Sequence, residues 1–262
     1  YVREGEELGT FYGSVWASTC DQVFADGGDC SAFDVNSDGY LVYVGEGNTA
    51  EDGIAKDLWG TSGEVGGRTF EWGIPIKTQD ADDSEFLFMG NTTPDFNLSW
   101  SNNVRWKNFS LYALLDGEFG ADIYNQSRGY AYRDNRSGDQ DQVGKSDALK
   151  KSLVYYQALY NVNAMSSHFV ERGTFVKLRE ASLRYTFDQN TVEELFGGLG
   201  IDGLSLNLIG RNLLTFTDYR GYDPEVGTGA ADSGGGSEAI GRVDNYGYPN
   251  FRTFTAALEV IF

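Results

Sequence analysis

The sequence predicts an all-β fold made of long antiparallel strands. Polarity alternates residue by residue in several segments, above all in the last, and that period of two is the mark of a strand with one apolar and one polar side. Glycine reaches 34 and aromatics 15% of the 262 residues while proline stops at 4, a mixture suited to strands and turns and unlike the aromatic-poor make-up of disordered linkers. Tight turns also alternate with very long polar connections.

Along the chain, Tyr1 to Ser18, with Leu8-Gly-Thr-Phe-Tyr-Gly-Ser-Val-Trp16 at its centre, reads as an aromatic strand. The start has no initiator methionine, basic n-region or apolar h-region, so the chain is expected to be a fragment or a processed form. Residues 20 to 95 carry 16 acids against three bases, Lys56, Arg68 and Lys77, with weak alternation. We expect an acidic, loop-rich insertion there, over 20–92. Inside it Cys20 and Cys30 flank a stretch of acids and glycines that reads as exposed loop, and two thiols so placed suggest a disulfide formed in an oxidising compartment.

Asp34-Val-Asn-Ser-Asp-Gly-Tyr40 matches the opening of a calcium loop, with oxygens from Asp34, Asn36, Asp38 and Tyr40 and a glycine at the sharp turn. Position 12 should be a glutamate but is Gly45, with Glu46 one place late, which argues against a complete EF-hand. Two readings stay open, a weak extracellular calcium loop and a hydrogen-bonded Asx-type turn without metal.

Phe96 to Trp106 and Phe109 to Phe119 form two strands joined near Lys107-Asn108, each long enough to cross a bilayer at a tilt. The connections 121–172 and 218–250 are far longer than hairpin loops. Ser152 to Ala164, with Tyr155, Tyr156 and Tyr160 at near-helical spacing, predicts a loop helix packed by those rings. In Ala181-Ser-Leu-Arg-Tyr-Thr-Phe187 the apolar residues oppose Ser182, Arg184 and Thr186, and an arginine there needs either bulk water or a wet lumen. Thr191 to Phe196 predicts a short helix capped by Thr191 and ended by Gly197-Gly198. Leu204, Leu206 and Leu208 share one side of the next strand. In the last strand Phe254, Ala256, Leu258, Val260 and Phe262 oppose Thr253, Thr255, Ala257, Glu259 and Ile261.

Several function classes fall away. A formal charge of −19 repels phosphate backbones and excludes nucleic-acid binding. No window approaches the 18 or so apolar residues of a membrane-spanning helix. His168 is the one histidine, with no nucleophile elbow around it, so it reads as a hydrogen-bonded or exposed residue, and we expect no catalytic residues. Glycine clusters such as Gly234-Gly235-Gly236 lack the frame of a phosphate cradle. Tyr130, Tyr132, Tyr219, Tyr222, Tyr246 and Tyr248 could stack on sugars or peptides, and packing and interfacial girdle roles are favoured over that.

Six stretches in order resemble the SusC/RagA family of TonB-dependent outer-membrane transporters. They are Glu4-Gly-Glu-Glu-Leu-Gly-Thr-Phe-Tyr-Gly13, Asp34 to Gly39, Met89-Gly-Asn-Thr-Thr-Pro-Asp-Phe96, Phe169 to Phe187, Gly210 to Glu225 with its Gly-Tyr-Asp-Pro-Glu ending, and Tyr248-Pro-Asn-Phe-Arg-Thr-Phe-Thr255. The stretch between Asn36 and Met89 is longer and more acidic than the family's link, and the cysteine loop is not a general family feature. The resemblance implies the C-terminal strands of a barrel of roughly 22 strands, a transmembrane β-barrel wall with long extracellular loops and short loop helices. It also implies a Gram-negative outer membrane with its lipid, a SusD-like lipoprotein, energy from the TonB complex through parts outside this chain, and an oligosaccharide or peptide cargo. Phe254, Leu258, Val260 and Phe262 would form the signal read by the barrel-assembly machinery. The competing reading is a secreted soluble β-sandwich, a carbohydrate-binding or adhesive module with calcium-stabilised loops. A sandwich would seal its apolar faces against each other; a barrel wall would leave them bare.

Overall fold

The computed structural model describes residues 4–24, 27–51, 58–78, 86–225 and 242–262, and the chain divides into two compact units. The glycine cluster at 234–236 lies outside the described residues. The first unit gathers 1–92, 123–171 and 227–246. Its strands are short: β1 (Thr10–Gly13) pairs with β6 (Leu87–Asn91), β2 (Phe33–Val35) with β3 (Leu41–Tyr43), and β4 (Ser62–Val65) with β5 (Arg68–Glu71). β9 (Asp122–Asn125) lies between β10 (Val170–Arg172) and β13 (Val243–Asp244).

Rings hold this unit together. Phe11, Trp16, Tyr124, Tyr132, Tyr155, Tyr156, Leu159 and Phe169 form one core, which receives the helices α1 (Gln126–Arg133) and α2 (Leu153–Leu159). Burying tyrosine costs little when its hydroxyl finds a partner, and most of those described below do. The strand expected around Leu8 to Trp16 shrinks to β1 because all four of its residues are buried, which removes the two-sided environment that a longer wall strand needs. Gly13 is required there, since a Cβ would stand 2.2 Å from the Met165 carbonyl oxygen.

The second unit, 93–122, 172–226 and 247–262, is an antiparallel meander. Its strands are β7 (Phe96–Trp106), β8 (Phe109–Phe119), β11 (Phe175–Thr186), β12 (Gly203–Thr217) and β14 (Thr253–Ile261), in that order across one sheet. The register places like against like. Trp100 lies opposite Leu115, Leu111 opposite Leu183, Leu183 opposite Leu208, and Leu206 opposite Leu258, so one apolar side runs unbroken in kind across all five strands except at Asn102, opposite Ala113, for which nothing in the structure gives a reason. Among the described residues no second sheet of this unit covers that side. Leu98, Leu183, Leu208 and Leu258 are all exposed, which is the outcome expected of a wall and not of a sandwich.

Aromatic rings bound this side at both ends. Trp106 stacks on Phe109, Phe109 meets Tyr185, and Tyr185 meets Phe187 near the 107–108 turn. Phe96 and Phe119 stack at the far end, 4.7 Å apart. Eleven residues separate the ends of β7 inclusively; at about 3.3 Å rise and about 40° tilt they span roughly 25 Å, the height of an outer-membrane apolar band.

Connections at the two ends differ. The 107–108 turn and the 187–202 segment lie at one end, and the 120–174 and 218–252 segments leave from the other. The 187–202 segment contains α3 (Gln189–Phe196), whose N-cap is Asp188 and not Thr191. The helix begins earlier because the Asp188 carbonyl accepts from the Val192 amide and its carboxylate from Asn108 Nδ2, fixing the first turn before Thr191 is reached.

Candidate functional site

The polar side of the wall carries a ladder of charges. Arg184 contacts Glu259 across β12, and Ser205 Oγ accepts from Arg184 and donates to Glu259. Arg211 reaches Glu180 at 2.8 Å. These pairs run from strand to strand on the side opposite the leucines, so each of these charges meets one of opposite sign.

Where β12 gives way to the long connection, the ladder becomes a buried knot. Lys177 of β11 is only 1% exposed, and its ammonium donates to Asp223 Oδ1 and Glu225 Oε2, both at 2.5 Å. Arg179 binds Glu225 through both terminal nitrogens and Asp116 Oδ2 at 2.8 Å, while Ser99 Oγ donates to Asp116. The returning limb joins in, because Asn250 donates its amide to Asp223 and its side-chain nitrogen to Glu225. The outgoing and returning limbs of the 218–252 connection are thus held on one cation pair. A lysine this deep is tolerable only with its charge matched and its protons directed, and both conditions hold.

Burial alone would raise the Glu225 carboxyl, but hydrogen bonds from Arg179 and Lys177 overcome it and bring its pKa down to about 2. A depressed carboxylate stabilises the folded state fully above its unfolded value near 4.5, and that contribution fades as pH falls toward 2. The thermal midpoint should therefore drop between pH 4.5 and 2, and Glu225→Gln should flatten that part of the profile in a melting series.

In the first unit, the calcium-like stretch closes on itself. Asp34 accepts the amides of Val35 and Ala50, Asn36 Oδ1 those of Asp38 and Tyr40, and Asp38 the Tyr155 hydroxyl at 2.5 Å. Lys151 Nζ stands 3.4 Å from Asp38, so a cation already occupies part of that carboxylate's field. Burial and the Asp38 bond push the Tyr155 phenol well up. Gly39, at φ 82°, makes the bend. In the structure this stretch is a hydrogen-bonded turn, its side-chain oxygens engaged by amides, the Tyr155 hydroxyl and Lys151. Among the described residues no group of three or more acidic, histidine or cysteine side chains could hold a metal. Asn36→Ala should cost about 1–2 kcal/mol by orphaning two amides, whereas adding calcium or a chelator should leave the thermal midpoint unchanged.

Cys20 and Cys30 are joined, with Cα atoms 5.9 Å apart, beside a short exposed turn. His168 is hydrogen-bonded: Tyr40 Oη lies 2.7 Å from Nδ1, and Arg128 and Tyr132 meet Nε2. Burial opposes the charge of Arg128, and Tyr132, Asp139 and Glu171 more than offset it. This cluster ties α1 to the 138–140 turn and to β10 and offers no nucleophile. Of the tyrosines singled out, Tyr132 and Tyr219 are buried, Tyr130 stacks on Tyr246, and Tyr222 and Tyr248 are exposed. Phe254 and Leu258 stand exposed on the apolar side of β14, Val260 half-buried beside them, and Phe262 follows the strand. The knot at Lys177, Arg179, Asp223 and Glu225 escaped the sequence reading; its local signal is a Lys-Leu-Arg run in a strand and an Asp-Pro-Glu run in the following loop.

No family model matches the sequence. The chain is 28% identical over 264 residues to TonB-dependent receptor P3 of Formosa agariphila, covering 100% of this chain and 23% of that protein. TonB-dependent receptor P39 of the same organism is 28% identical over 283 residues, covering 100% and 26%. Among solved structures, the RagAB peptide importer in its open-open state superposes with a TM-score of 0.52 at 20% identity, covering 100% of this chain and 24% of that one. The RagAB peptide transporter gives 0.51 at 18%, covering 99% and 24%. The chain therefore spans about a quarter of the length of the proteins it matches. The likeness bears out the resemblance to TonB-dependent receptors and the fold, an antiparallel barrel wall with long loops. These relatives are named as receptors and importers, not as enzymes.

Proposed function

We propose that this chain, a segment of a SusC/RagA-type TonB-dependent receptor, supplies the C-terminal wall strands and several extracellular loops of an outer-membrane importer. The observation that carries this is the single apolar side shared by five strands, framed by aromatic rings and backed by a charged side. In a bilayer the first would meet lipid and the second would line a wet lumen. β7 and β14, the edges of the sheet, would pair with further strands of the parent barrel, since an open edge has no partner in hydrocarbon.

The first unit, including the acidic insertion over 20–92, would then form the extracellular face. Cargo would be an oligosaccharide or peptide, taken with a SusD-like lipoprotein and driven by the TonB complex. Phe254, Leu258, Val260 and Phe262 would serve barrel assembly. The test is expression of the parent receptor in a Gram-negative host lacking its own importer. Recovery in the outer-membrane fraction, with cargo uptake that stops when TonB is deleted, is the expected result; a soluble periplasmic or secreted product would refute it.

A further inference from the structure

We propose that α3 and the turn after it form an interfacial anchor, a small amphipathic element that lies on zwitterionic phospholipid of the periplasmic leaflet. The proposal rests on the importer reading, which turns the 187–202 end of the wall toward the periplasm. β11 and β12 are antiparallel neighbours, and a link of about two to five residues would join them. The link instead runs from 187 to 202 and leaves apolar side chains open. Val192, Leu195 and Phe196 stand at i, i+3 and i+4 of α3, on one side of the helix, and Glu193 and Glu194 take the other. Val192 is 1% exposed, but Leu195 is 63% exposed, and Leu199, in the 197–199 turn that follows, is 70% exposed.

The occupant follows from where α3 starts. Asn108 donates to Asp188, so the helix leaves from beside the 107–108 turn, and Phe187, just before its cap, packs edge-on against Tyr185. Tyr185 meets Phe109, and Phe109 stacks on Trp106, the ring border of the apolar side. The open leucines therefore continue a band that faces lipid on the importer reading, at the level where rings meet headgroups. Lys107 adds a cation at that level, its ammonium 5.2 Å from the Trp106 ring, where lipid phosphate would lie. Charge decides which lipid. Asp188, Glu193, Glu194 and Asp202 are acids and the 188–202 stretch has no lysine or arginine, so it repels an anionic headgroup and not a zwitterionic one.

The experiment places single cysteines at 183, 193, 194, 195 and 199 of the parent receptor and labels them with an environment-sensitive fluorophore. Quenching by nitroxide lipid and by aqueous acrylamide is then read in nanodiscs of phosphatidylethanolamine and phosphatidylcholine. Labels at 195 and 199 should be quenched by lipid about threefold more than those at 193 and 194, and by acrylamide in the reverse order. Leu195→Ser should lower lipid quenching at 199 about twofold and leave that at 183 unchanged, and added phosphatidylglycerol should not raise it. Quenching at 195 and 199 by acrylamide alone puts them in water, and shielding from both quenchers means that protein covers them. Either result overturns the anchor, as does stronger lipid contact on phosphatidylglycerol. Lipid quenching at 183 without it at 195 and 199 refutes this inference alone, and none at 183 refutes the importer reading.

Discussion

Lys177→Met should destabilise the second unit by about 3–5 kcal/mol, the usual consequence of stranding buried charges by removing one partner. The side chain lost is almost wholly enclosed, and Asp223 and Glu225 would both lose the ammonium that sits between them. Both limbs of the 218–252 connection depend on those carboxylates through Asn250. Limited proteolysis should accordingly cut near Asp218 to Glu225 in the variant while sparing the original, and denaturant titration should show the lost stability. Adding Asp223→Asn and Glu225→Gln to Lys177→Met should restore most of it, because no uncompensated charge then stays buried. If the single variant melts and digests like the original, the knot is not holding the connection.

Leu183→Arg and Ser182→Arg should differ sharply although the residues are adjacent. Leu183 stands on the apolar side between Leu111 and Leu208, and Ser182 on the other side between Tyr112 and Ile209. Arginine in the lipid-facing band of a barrel costs about 2–4 kcal/mol near the midplane, whereas lumen positions accept it. Folding into lipid vesicles, followed by heat-modifiable migration, should fall for Leu183→Arg and stay near the original for Ser182→Arg.

The wall was legible because its code is local. Alternation in 96–119, 181–187 and 253–261 states which side each residue takes, and the register pairs leucine with leucine as that alternation requires. The first unit was much less so. The helix α1 has no apolar stripe to announce it; its start is fixed by Asn125, whose side chain accepts the Arg128 amide, a signal weak amid so many polar residues. The ion knot was hidden for a different reason. Lys177 and Asp223 are 46 positions apart, and a lysine on the polar side of a strand looks the same in sequence whether it faces water or a docked loop. The Asp34–Tyr40 stretch left two outcomes open because calcium and backbone amides ask for the same oxygens. The contacts that close the turn also include Lys151 and Tyr155, which lie far away in sequence.

In the bilayer, alternate residues of one strand should meet lipid tails and water. Single cysteines placed in turn at 181 to 185 of the parent receptor, spin-labelled and reconstituted in vesicles, measure it directly through their accessibility to oxygen and to a water-soluble nickel complex. Labels at 181, 183 and 185 should favour oxygen and those at 182 and 184 should favour nickel. A profile without that alternation, or with all five positions equally open to nickel, would contradict the account.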